Sequence, residues 1–127
     1  MIPTEQSPTS TRPPRVSLDG QVKMRPTDLG EIRHALAGNL SLTGMFVRAQ
    51  QPYPAGSFLQ FELTQGNDLG PVKGLGQVAW VRFDDEGPVR PAGMGLRFRW
   101  IEPDSRDTLL RLVDPQGQLG GEGLLRE

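Results

Sequence analysis

Two short stretches carry side chains able to hold a charged ligand. The first is Asn39-Leu40-Ser41-Leu42-Thr43-Gly44. Asn and Ser each offer a side-chain oxygen, to the local backbone or to a ligand. Gly44 either takes a positive φ or lets something approach the backbone closely. The second stretch is Arg12-Pro13-Pro14-Arg15. Its two guanidinium groups flank a Pro-Pro pair that favours extended backbone, so they form a semi-rigid pair able to fold over an anion. Each stretch also has a plainer reading. Asn, Ser and Gly are ordinary turn residues, and two arginines near a chain end are often simply solvated.

Other chemistries find little support. The chain has no cysteine and one histidine, His34, so neither thiol chemistry nor a His/Cys metal cluster is available. No Ser-His-Asp arrangement is recognisable. The acidic run Asp84-Asp85-Glu86 lacks the alternating ligands of a calcium loop and reads as a solvated hairpin tip. The expectation is a protein that is not an enzyme and needs no cofactor or metal. Fifteen acids against fourteen bases give a net charge of −1, which does not favour nucleic acid. The Trp and Phe residues read as core, which argues the same way. No apolar run reaches transmembrane length and the N-terminus lacks a signal pattern, so a soluble cytoplasmic protein without membrane insertion is expected.

The elements that must position these residues are mostly strands. The 127 residues suit one domain, and 16 glycines with 12 prolines favour turns over long helices. Residues 1–14 are rich in Pro, Ser and Thr and read as a flexible tail carrying part of the arginine pair. From Arg15, Val16, Leu18, Val22 and Met24 alternate with polar residues, either as one strand bulged at Gly20 or as two pieces around a turn. Glu31–Gly38 fits a helical turn or a strand. Gly44–Ala49 is a strand. Phe58–Leu63 alternates cleanly, with Leu59, Phe61 and Leu63 inward. Val72–Phe83 is a long strand with Val78, Trp80 and Arg82 on one face. Gly93–Ile101 puts Leu96, Phe98 and Trp100 on one face and Arg97 and Arg99 on the other. A helix begins around Glu102–Asp107, with Leu109, Leu112 and Val113 as its apolar stripe and Leu110 widening it. It ends at Asp114-Pro115. Residues 115–127 read as a second flexible tail, in which Leu124-Leu125 either packs as a short turn or docks on a partner.

Six short strands and one terminal helix argue for a barrel or sandwich. Asn39-x-Ser41-x-x-Gly44, preceded by paired arginines, resembles the PilZ domain, a small bacterial β-barrel that receives cyclic di-GMP. The resemblance spans about residues 12–113. It implies a mainly β fold: a single six-stranded antiparallel barrel over residues 15–114 with a C-terminal α-helix. It also makes Glu31–Gly38 a strand. The implied ligand is cyclic di-GMP, contacted by Arg12, Arg15, Asn39, Ser41 and Gly44. Arginine suits the phosphates and the guanine edges, and Asn suits a guanine edge. The family pattern is R-x-x-x-R. Thr11 stands four residues before Arg15, and Arg12 comes one position late. In extended chain that shift reverses the side chain's direction. Losing one bidentate arginine contact costs roughly 1.5–3 kcal/mol, or about ten- to a hundredfold in affinity.

Two functions follow from the resemblance. One is a cyclic di-GMP receptor that relays the signal to a protein partner in motility, secretion or surface-polysaccharide regulation. The other is a PilZ-like adaptor that has lost the nucleotide and acts through protein contacts alone. A monomer or a dimer fits either.

Overall fold

The computed structural model describes residues 16–28, 30–65, 69–115 and 117. Arg12, Arg15, both expected tails except for residues 115 and 117, and residues 29 and 66–68 therefore lie outside the described residues. The elements are β1 Val16–Pro26, β2 Arg33–Leu40, β3 Gly44–Arg48, β4 Phe58–Thr64, β5 Val72–Arg82, β6 Gly93–Ile101 and α1 Pro103–Val113. The strands close into a barrel in the order β1-β2-β3-β6-β5-β4, every pair antiparallel. Closure removes the exposed strand edges that an open sheet would present.

Alternation sets which side chains fill the interior. Leu59, Phe61 and Leu63 of β4 are buried as their spacing requires. Val22 and Met24 of β1, Met45 and Val47 of β3, and Met94 and Leu96 of β6 meet them. Phe61 stacks on the half-buried Phe98 at 5.2 Å between ring centres. Both open alternatives from the sequence resolve here. β1 is one strand whose pairing with β2 shifts between Ser17 and Gly20, and Glu31–Gly38 contributes to a strand. His34 sits exposed on that strand.

Two bulges overturn the expected faces of β5 and β6. Val78 pairs with Leu96 but Trp80 pairs with Gly95, so Ala79 is an extra residue in β5. The parity reverses there. Val78 points inward, and Trp80 lies outside with 43% of its surface exposed. Arg99 is likewise extra in β6, between Phe98 paired to Gly76 and Trp100 paired to Leu75. Ile101 thereby turns to the core, and Trp100 is left half exposed instead of sharing the face of Leu96 and Phe98. Phe58 and Phe83 are exposed too. The expectation that the Trp and Phe residues belong to the core therefore fails for these four. The case against nucleic acid then rests on charge alone.

The helix closes one end of the barrel. Pro103 begins it with the fixed φ that suits a first turn, and Asp104 follows at the positive end of the helix dipole. Leu109 and Val113 are buried against the core, and Leu112 packs beside them. Two buried hydroxyls fasten the helix to the start of β5. Ser105 Oγ accepts from Lys73 N at 2.8 Å, and Thr108 Oγ1 donates to Leu69 O at 3.2 Å.

Candidate functional site

A cleft of about 850 Å³ runs over the outer wall of β2, β3, β6 and β5, with the β5–β6 loop as one rim. Asn39, Ser41 and Gly44 all line it. The three residues sit on a tight β2–β3 hairpin. β2 is bulged at Gly38, since Ala37 pairs with Val47 and Asn39 with Phe46. The chain then reverses over Leu42-Thr43, closed by Ser41 N donating to Gly44 O at 2.9 Å.

Ser41 and Gly44 have local tasks in this hairpin. Ser41 is 1% exposed, and its Oγ accepts from Thr43 N at 3.2 Å. The same hydroxyl lies 3.3 Å from Thr43 Oγ1 and 3.4 Å from Gly44 O. It therefore holds the turn that carries Asn39 to the cleft. Gly44 is absent from the glycines with positive φ. A Cβ on it would lie 2.4 Å from Leu96 O, so its hydrogen side chain permits β3 to run against β6.

The floor of the cleft is aromatic. Phe46 and Trp80 stack with ring centres 5.7 Å apart and planes 19° from parallel. Glycines on β6 make room for both. A Cβ on Gly95 would come 2.2 Å from Trp80 Nε1, and one on Gly93 would come 2.5 Å from Phe46 Cζ. The Arg82 guanidinium lies 5.1 Å from the Trp80 ring centre and 5.5 Å from that of Phe46. Its Nη1 donates to Pro91 O at 2.9 Å, which holds the rim loop in place. Asp85 Oδ1 accepts from Ala92 N at 2.8 Å and fixes the same loop.

The charge around this floor is one-sided. Arg48, Arg82, Arg90 and Arg97 line the cleft, and among the described residues no carboxylate does. Glu86 stands behind the rim, 3.1 Å from Arg90 Nε and 3.8 Å from Arg82 Nε. Arginine donors around an aromatic platform suit a ligand that joins phosphate to a planar base. Sequence reasoning placed Trp80 in the core and so missed the platform. The available signal was Gly93-x-Gly95, two bare positions on a strand that leave room for rings from neighbouring strands.

The family model of the PilZ domain matches residues 10–114, most of the chain. The chain belongs to the PilZ domain family. No curated protein matches it by sequence. Among solved structures, the PilZ domain with c-di-GMP of YcgR from Escherichia coli superposes with a TM-score of 0.62 at 16% identity, over 91% of this chain and 98% of that one. YcgR in complex with c-di-GMP gives 0.65 at 18% identity, over 91% and 49%. The Bacillus subtilis inhibitor of motility MotI/DgrA gives 0.67 at 16%, over 88% and 53%. This PilZ chain thus spans about half the length of the last two, and these likenesses establish the barrel-and-helix fold. Among the described residues no helix is long and apolar enough to cross a membrane.

Proposed function

We propose that this PilZ domain is a cyclic di-GMP receptor and that the cleft over β2, β3, β6 and β5 is its ligand site. The observation that carries the reading is the Phe46–Trp80 stack beside Arg82 on the same surface as Asn39. A guanine stacks on Trp80, which is half exposed and already held flat by Phe46. Arg48, Arg82, Arg90 and Arg97 supply donors for the two phosphates and the guanine edges. Asn39 offers its amide to a guanine edge, Ser41 keeps the hairpin in shape, and Gly44 keeps it close to β6. Arg15 is bonded to Val16, which pairs with Leu40, one residue from Ser41. In this reading Arg15 and Arg12 act as the closing pair of the site. Ligand binding brings the segment before Val16 against the hairpin and changes the surface offered to a protein partner. YcgR, whose PilZ domain shares this fold, binds c-di-GMP, which agrees with this reading.

The second reading, an adaptor without nucleotide, draws on Thr11 standing where the family's first arginine is expected. Calorimetry separates the two. Cyclic di-GMP titrated into the full chain should give saturable heat at micromolar concentration, weakened about tenfold or more in Arg15→Ala. Absence of heat at millimolar ligand would leave the adaptor.

A further inference from the structure

A second groove, of about 910 Å³, lies between α1 and the end of β6, from Arg97 to Ile101. The buried Leu109 and half-buried Phe98 belong to its lining, while Leu42 and Leu110 border it. Trp100 stands in its wall, half exposed because the Arg99 bulge turned it out of the core. Three arginines, Arg97, Arg99 and Arg106, surround it, and none makes an ion pair among the described residues. Among the described residues no carboxylate lines it. The acids of α1 are elsewhere: Asp107, one residue from Arg106 and so about 100° around the helix, pairs with Arg111 at 3.0 Å. The groove adjoins the nucleotide cleft, since Thr43 and Arg97 line both.

We propose that this groove is a docking site for an acidic, apolar segment of a partner protein. Arginines without an ion pair among the described residues, around one exposed tryptophan, are the composition of an interface hot spot, and Arg106 Nε is held by donating to Ile101 O at 3.4 Å. The positive rim selects carboxylates, and the apolar surface of Trp100 and Leu110 takes an aliphatic or aromatic anchor. The concave shape favours a chain segment over a flat lipid surface. The protein's own residues 116–127 are a poorer occupant, with Glu122 and Glu127 alone against three arginines and with four glycines whose ordering is costly.

The test uses the isotope-labelled full chain and an amphipathic peptide of about four helical turns, with leucines on one face and glutamates on the other. The expected result is saturable shifts of the Trp100 indole and of the amides of Arg97, Arg99, Arg106 and Leu110. The double change Arg99→Glu and Arg106→Glu, at exposed positions and so without loss of the fold, should weaken binding about tenfold or more. A peptide with lysine in place of glutamate should leave the groove unchanged. No saturable shift at these positions, or equal shifts with the lysine peptide, overturns the proposal. Shifts that follow protein concentration alone would make a second copy the occupant. Shifts caused by Leu124→Ser with Leu125→Ser would make it the chain's own segment. Binding to phosphatidylglycerol vesicles, without peptide binding, would make it a membrane. Each of these three also overturns it.

Discussion

Trp80 is the residue on which the nucleotide reading turns. Its indole rests on Gly95 and against Phe46, so little ordering remains to be done when a base arrives. Removing it in Trp80→Ala should cost about 1–3 kcal/mol of cyclic di-GMP binding, roughly five- to a hundredfold in Kd, with the melting temperature nearly unchanged. Calorimetry beside a thermal melt checks both parts. Gly44 makes the contrasting case. It belongs to the motif that resembles a ligand site, yet its neighbour is Leu96 O. Gly44→Ala should destabilise the protein by about 1–3 kcal/mol in urea with no ligand present. Unchanged stability would return Gly44 to a purely ligand-facing part. The motif was legible in the sequence because its spacing is local. That two of its three residues serve the hairpin was not, because the partners of Gly44 come from a strand fifty residues away.

At the scale of elements, strand and helix positions followed from alternation wherever the barrel is regular. β4 shows this best, with Leu59, Phe61 and Leu63 all buried. Leu63→Ala should therefore lower stability by about 2–5 kcal/mol, seen as an earlier denaturant midpoint. The reversed faces of β5 and β6 come from two bulges. One extra residue at Ala79 and one at Arg99 reverse the face of all that follows, and pairing with the neighbouring strand decides where the extra residue goes. No property of Val78-Ala79-Trp80 read by itself announces it. These two departures turned out the tryptophan of each groove. The helix was legible from its proline and leucines, but its anchorage was not. Ser105→Ala leaves Lys73 N without its 2.8 Å partner and should cost about 1–3 kcal/mol, measured by urea unfolding.

At the scale of the whole molecule, the barrel is a rigid wall with two neighbouring recesses, one aromatic and strongly basic, the other basic around Trp100. Formal charge conceals this. A net charge of −1 argued against nucleic acid, yet six arginines line the two recesses, while Asp84, Asp85 and Glu86 sit on the rim loop and Asp104 and Asp107 on α1. Overall balance is set by composition, whereas a local field is set by topology, which brings Arg48, Arg82 and Arg97 from three strands to one surface. The same topology makes the central claim measurable with light. The chain has two tryptophans, so Trp100→Phe leaves Trp80 as the one indole reporter. Adding cyclic di-GMP to that protein should quench Trp80 emission saturably, at the Kd found by calorimetry, as a guanine covers the ring. Calorimetric binding with no change in Trp80 emission, or no binding by either method, would contradict the assignment of this cleft as the nucleotide site.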